Sequence, residues 1–354
     1  MTEASTAENG VSVLIPAHNP NIDDIKQILI VLANQTYKDF EIIIANDGDD
    51  FYDAIRDILV LSPIPFQYKK NERRLGLYFS IKENLRYCNY DNVLVLEQDI
   101  IPLSQDYIKS LIALLQSCPQ DVVTSRLMID AETDYKKYVF YKRRISNLGT
   151  IDHSKKIDGS FSNVLLETEV TFTKADLMNK HILIELFSTG SSDSNTSQDI
   201  ILSTIVRRDR RLVTSDATSC EIGHSDPNTF SFFLKKEYLY GKSVFAVWRH
   251  SDKDTLISTS YFKEKLSRIL FVIVETIAII FGSLEFFIGG TLALPLLIVI
   301  LGLGLFYTQA VLVHIKFWDF WRRNQRSLTK IVKSTFYVVL LDVAYTLGIL
   351  RRLL

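Results

Sequence analysis

The apolar positions of this chain follow two rhythms. In the first hundred residues, short apolar runs alternate with stretches whose apolar positions recur every three or four residues. VSVLIPA (11–17), FEIIIAND (40–47), PFQYKKN (65–71) and VLVLEQD (93–99) predict strands. Between them, residues 22–34, DFYDAIRDILVL (50–61, closed by Ser62-Pro63) and GLYFSIKENLRYC (76–88) predict helices. Strand and helix in alternation imply an α/β domain built on a mostly parallel, Rossmann-like sheet with helices on both faces. The strands are almost continuously apolar, as burial on two faces requires.

From Leu266 the rhythm changes. Residues 291–315 carry no Asp, Glu, Lys or Arg across 25 positions, and about 20 apolar residues suffice to span a bilayer core. Residues 269–288, interrupted by Glu275 and Glu285, form a second candidate span. Residues 334–350, short and carrying Asp342, form a third that could cross or re-enter. Lys316, Arg322, Arg323, Arg326, Lys330 and Lys333 lie before the third segment. The positive-inside rule puts that loop in the cytoplasm and Gly289-Gly290 on the far side, so a multi-pass protein with a cytoplasmic N-terminal domain is expected. The segment 230–250, FSFFLKKEYLYGKSVFAVWRH, mixes aromatics with Lys235, Lys236, Lys242 and Arg249, a composition suited to a helix in the membrane interface. Packing on the preceding domain is the alternative. The expected organisation is a flexible tail (1–10), an α/β domain (11–229), an interfacial helix and linker (230–265) and two to three membrane helices (266–354).

Charge and cysteine content narrow the chemistry. The net charge is −1, so no global basic field favours nucleic acid. Cys88, Cys118 and Cys220 are far apart, with no CxxC pair to hold a thiolate metal. The opening MTEASTAENG is polar and has no signal-peptide core.

The conspicuous chemistry lies just beyond two strands. Residues 46–50 read NDGDD after the second, and Glu97-Gln98-Asp99 follows the fourth. Ligands of open parallel sheets bind beyond the carboxyl ends of the strands. Carboxylates at i and i+2 there would repel unless a divalent cation lay between them, and oxygen donors suit Mg²⁺ or Mn²⁺ bridging a diphosphate. Solvated loop acids and helix caps are the plain alternative. Asp49 and Asp50, just before a helix, fit that alternative; Asp99 fits the ligand.

VSVLIPAHN (11–19), EIIIANDGDD (41–50), LVLEQDIIP (94–102), SQDIILSTIVRRDRRLV (197–213) and EIGHSDPNTFSFFLKKEYLYGKS (221–243) together resemble the family 2 glycosyltransferases of GT-A fold. The QDIIP and Gly-His-Ser elements resemble the rhamnosyltransferase branch. The resemblance covers roughly residues 11–250. It implies sugar transfer from a nucleotide sugar, usually with inversion, using a divalent metal. It also implies that Pro16, Ala17, His18, Asp47, Arg74, Gly76 and Gln98 border the donor, with Arg73 nearby and Asp47 bonding the base. Asp99, Glu97 and His224 would be metal ligands. Glu97 departs from the family's usual Asp, which places more weight on Asp99. Asp199 would be the catalytic base, and Phe161-Ser162-Asn163 would face the acceptor.

A hydroxyl is a weak nucleophile and needs a carboxylate to take its proton, although Asp199 could also simply cap the helix beginning DIILSTIVRR. The resulting expectation is a membrane-anchored glycosyltransferase that acts on a lipid-linked or membrane-presented acceptor. Self-association into a homo-oligomer is left open. A polyprenyl-phosphate glycosyltransferase, whose acceptor is already ionised, is the rival among enzymes. A transporter or scaffold with a degenerate nucleotide-binding domain is the rival outside them.

Overall fold

The computed structural model describes residues 10–117, 122–128, 175–189, 201, 212–214, 218–224, 229–251, 253–258, 266 and 328–353. They fall into two compact units. One lies within Met1–Asp130, Gly149–Pro227 and Ala246–Leu256, the other within Asn228–Phe245 and Ile257–Leu354.

The first unit is built on β1 (Val11–Ala17), β2 (Phe40–Asn46), β3 (Phe66–Lys70), β4 (Asn92–Leu96), β6 (Val122–Thr124), β8 (Ala175–Asn179) and β9 (Leu212–Thr214). These pair in the order β3-β2-β1-β4-β8-β6-β9. Six strands run one way and β8 alone opposes its neighbours β4 and β6. Helices α1 (Ile22–Ala33), α2 (Tyr52–Leu61) and α3 (Leu77–Asn84) connect the first four strands. Helices α4 (Tyr107–Ser117) and α5 (Lys180–Thr189) follow.

The four expected strands and three expected helices are all present, with most ends displaced by a residue or two, the fourth strand ending three residues early and the third helix four. The third helix tightens to a 3-10 turn over Leu85–Tyr87. All seven residues of β1 and all seven of β2 are buried. Ile25, Ile28, Leu29 and Leu32 supply the buried face of α1, each such side chain contributing about 1.5–3 kcal/mol on burial.

A second sheet, β5 (Ile100–Pro102), β10 (Glu221–His224) and β7 (Arg126–Met128), was not legible in the sequence. Its order is β5-β10-β7. β5 starts one residue after Asp99, and the antiparallel register places His224 opposite Ile100.

The amino ends of the strands carry a different device. Glu41, in β2, is 5% exposed. Its Oε1 accepts bonds from Ser12 Oγ (2.7 Å) and the Asn89 amide (2.6 Å), and its Oε2 accepts one from Asn89 Nδ2 (2.7 Å). A buried carboxylate is tolerated because its oxygens are met by donors. Cys88, beside this cluster, is buried, and burial pushes its thiol up to about 12. Without a metal beside it, this thiol is protonated at neutral pH.

In the second unit, Phe230–Phe245 of α6 (Phe230–His250) packs on α8 (Leu328–Leu353). The backbones meet so closely that a Cβ on Gly241 would strike the Tyr345 carbonyl, and one on Gly348 the Tyr238 carbonyl. The Phe230 and Tyr337 rings lie 4.6 Å apart, centroid to centroid. The third candidate span, 334–350, lies within α8. Among the described residues no helix is long and apolar enough to cross a membrane. The candidate spans 269–288 and 291–315 lie outside the described residues.

Replacing Glu41 by Gln puts an amide donor where only acceptors fit. Glu41→Gln is expected to lower the unfolding free energy by about 1–3 kcal/mol in denaturant titrations. An unchanged midpoint and slope would contradict this role for the Glu41 cluster.

Candidate active site

Parallel pairing carries the carboxyl ends of β1, β2 and β4 to one edge of the sheet, where the chain turns polar. After β4, the Ile100 amide donates to the Glu97 carbonyl (3.1 Å), closing a tight turn over Glu97-Gln98-Asp99. Gln98 ties this turn to β1. Its Oε1 accepts from the His18 amide at 2.6 Å, and its Nε2 donates to the His18 carbonyl at 3.4 Å. The second of these is long, so the first supplies most of the hold. The tip of β2 joins β1 through the Asp47 amide, which donates to the Ala17 carbonyl (2.7 Å), and through His18 Nδ1, 2.9 Å from the Asp47 carbonyl.

The NDGDD turn is held from within. Asn46 Nδ2 donates to the Asp49 carbonyl (2.8 Å) and to Tyr68 Oη (2.7 Å). Asp50 Oδ1 accepts from the Tyr52 amide at 3.1 Å and from Tyr68 Oη at 2.9 Å. These two donors hold the Asp50 carboxyl below the usual carboxylate range. Asp50 thus steadies the start of α2, in keeping with the capping role expected of it. The Asp49 amide donates to Asn19 Oδ1 (2.7 Å), and Asn19 has φ 45°, a left-handed conformation that asparagine tolerates.

These tips and the start of α3 surround a cavity of about 540 Å³. Its walls include every residue expected at the donor, namely Pro16, Ala17, His18, Asp47, Arg74, Gly76 and Gln98, together with the expected metal ligands Glu97 and Asp99. Leu75, Leu77 and Ser80 also line it and were not singled out in the sequence. The signal for them was the position of Gly76, which Leu75 and Leu77 flank and from which Ser80 lies about one helical turn on. Arg73 is exposed and does not line the cavity.

Glu97 and Asp99 bring two carboxylates to one wall, hard oxygen donors of the kind Mg²⁺ and Mn²⁺ take. Asp99 is engaged by its surroundings, and its Oδ1 is a buried oxygen that accepts no hydrogen bond. The donor set fits a divalent cation. Among the described residues no group of three or more His, Cys, Asp or Glu side chains gathers as a complete ligand set. The backbone register brings His224 next to the Asp99 turn. Asp199, Gln198 and Phe161-Ser162-Asn163 lie outside the described residues.

Residues 12–170 match the profile of glycosyl transferase family 2. Over this stretch the chain is similar to the family 2 glycosyltransferases. The cavity wall from Pro16 to Asp99 falls inside the matched region. Asp199, His224 and the two long helices α6 and α8 fall beyond it.

Among solved structures, the chain is similar to the mannosyltransferase PcManGT of Pyrobaculum calidifontis, solved in complex with GDP-Man and Mn²⁺. The identity is 12%, the TM-score 0.59, and the match covers 98% of this chain and 88% of that one. At this identity the likeness establishes a GT-A-like fold. TarS residues 1–349 of S. aureus match with 13% identity and a TM-score of 0.48, covering 73% of this chain and 72% of that one. The same TarS fragment in complex with UDP-GlcNAc matches with 13% identity and a TM-score of 0.48, over 69% and 68%. No curated protein gives a significant match.

The Gln98 contact to His18 yields a direct expectation. Gln98→Met keeps the bulk and removes both bonds. Hydrogen exchange at the His18 amide is expected to accelerate about fivefold to tenfold, the worth of one ordinary hydrogen bond. Unchanged exchange would show that the strand tips hold together without Gln98.

Proposed function

We propose that this chain is a membrane-anchored, inverting glycosyltransferase. It would move a sugar from a nucleotide sugar to a hydroxyl of a lipid-linked or membrane-presented acceptor, with Mn²⁺ or Mg²⁺ as cofactor. The observation that carries this reading is the cavity at the strand tips, in the stretch similar to family 2, walled by Glu97, Asp99, His18 and Arg74. A cavity of this kind suits a compact, polyanionic donor better than an extended polymer.

Glu97 and Asp99 would hold the cation, with His224 on the adjoining strand as the candidate third ligand. When bound, the cation would offset negative charge on the departing diphosphate. Arg74, exposed at the cavity wall, would add a fixed positive charge near the same phosphates. Asp199 would accept the acceptor's hydroxyl proton while that oxygen attacks the anomeric carbon on the face opposite the diphosphate. The new glycosidic bond would form as the bond to the diphosphate oxygen breaks, and the proton would remain on the carboxylate.

The membrane reading is supported by the charge-free run 291–315 and by the outer stripe of α6. Lys235, Leu239, Lys242, Phe245 and Arg249 are all exposed, with Leu239 at 36% and Phe245 at 39%. At 100° per residue they fall within one face of the helix. Apolar side chains set among cations suit a bilayer interface with anionic headgroups. The basic segment 316–333 supports a cytoplasmic active site. The likeness of the QDIIP and Gly-His-Ser elements to rhamnosyltransferases leaves a deoxyhexose among the donors to be tried.

The test uses the full chain in lipid vesicles with a panel of UDP-, GDP- and TDP-sugars, Mn²⁺ and a bacterial lipid-linked glycan fraction. One donor is expected to be consumed, with the anomeric configuration inverted in the product. Asp199→Asn should lower that transfer by roughly 10²- to 10⁴-fold while leaving donor affinity within about twofold. Transfer near wild type in Asp199→Asn would move the reading to an acceptor that is already ionised, a polyprenyl phosphate.

A further inference from the structure

Asp47 is the residue of the cavity whose observed contacts differ most from the task its position suggested. The residue is 6% exposed, and its carboxylate is directed at the segment between β3 and α3. Oδ1 accepts from the Leu75 amide at 2.7 Å and from Asn71 Nδ2 at 2.9 Å, and Oδ2 accepts from the Gly76 amide at 2.6 Å. A carboxylate has about four lone-pair sites, and three are occupied. Bonds of this length from backbone amides to an ionised acceptor are in the strong, charge-assisted range.

The donors are themselves held. The Asn71 amide donates to the Asn46 carbonyl (2.8 Å), its Nδ2 also donates to Ser80 Oγ (2.9 Å), and its Oδ1 accepts from Asn84 Nδ2 (3.1 Å). Ser80 and Asn84 are buried in α3. Gly76 has φ 85°, a left-handed conformation that costs glycine little. It turns the chain so that consecutive amides face one carboxylate just as α3 begins. The segment 71–76 belongs to no strand or helix, so no ladder positions it. Arg74 immediately precedes the two anchored amides and lines the cavity.

We infer that Asp47 is a positioning residue that latches the 71–76 loop and thereby sets Arg74 at the cavity wall. The inference rests on the reading that the cavity takes a nucleotide donor. Its consequence is that loosening the latch weakens every nucleoside diphosphate by a common factor, because the damage passes through the loop and Arg74.

Two measurements on the full-length protein test this. In hydrogen exchange without nucleotide, the Leu75 and Gly76 amides of the wild type are expected to exchange at least tenfold more slowly than the exposed Arg73 amide. Asp47→Asn, which offers one acceptor oxygen in place of two, should remove about tenfold or more of that protection. Asn71→Ala, a milder change that removes one of the three bonds, should remove part of it and serves if Asp47→Asn does not fold. In titrations with UDP, GDP and TDP plus Mn²⁺, Asn71→Ala, which leaves Asp47 in place, should weaken all three by the same factor, within about threefold. Wild-type amides that exchange as fast as Arg73 would overturn the latch. So would an Asn71→Ala protein that loses amide protection and still binds all three nucleotides as tightly as the wild type. Absence of nucleotide binding by the wild type, with the amides protected, would instead refute the donor-site reading and leave the latch standing.

Discussion

A strand buried on both faces has nowhere along its length for a polar side chain except at its ends or against a dedicated partner. β1 and β2 obey that constraint strictly. Their interiors are aliphatic, and the polar residues collect where each strand leaves the sheet. Because β1, β2 and β4 run parallel, those exits lie at one edge. The cavity follows from this arrangement, since it is the space between exits that side chains of neighbouring strands have tied together. Gln98 joins the tip of β4 to that of β1, and Asp47 joins the tip of β2 to the loop leading into α3. The exception in the interior, Glu41, is tolerated at the opposite edge because Ser12 and Asn89 supply its donors. One carboxylate therefore braces the floor of the sheet and another braces its functional rim.

This division explains what could be read from residues alone. The first four strands and three helices were legible because two-sided burial imposes continuous apolar runs and α-helical spacing imposes its own period. Nine of the twelve cavity residues were legible as a set through the family resemblance that the strand-tip motifs carry. β5 and β10 were not legible. They have three and four residues, too short to carry a period, and β10 pairs with residues more than a hundred positions away. That long-range pairing brings His224 beside the Asp99 turn, which no local pattern could show. Nor could sequence say which donors meet the Asp47 carboxylate. Only the structure shows the amides of Leu75 and Gly76 facing it. The close approach of α6 and α8 belongs to the same class, since Gly241 and Gly348 lie in aromatic, basic stretches that gave no hint of a helix crossing.

The chemistry is divided along similar lines. The matched family region contains the pieces that would hold a nucleotide diphosphate, whereas the proposed base and the proposed membrane contacts lie beyond it. A rigid sheet edge suits the donor half of such a reaction, which needs fixed charges at fixed spacing. The proposed acceptor half, with its lipid-borne substrate, is assigned to the later part of the chain.

The central claim is that the cavity between the strand tips takes a nucleoside diphosphate through a cation held by Glu97 and Asp99. Calorimetric titration of the full-length protein with UDP and GDP, in Mn²⁺ and in EDTA, tests it most directly. Binding of at least one nucleotide should be at least tenfold tighter with Mn²⁺, and Asp99→Ala should erase that difference while the protein remains folded. Equal affinity in Mn²⁺ and EDTA for the wild type, or an undiminished Mn²⁺ effect in Asp99→Ala, would contradict it.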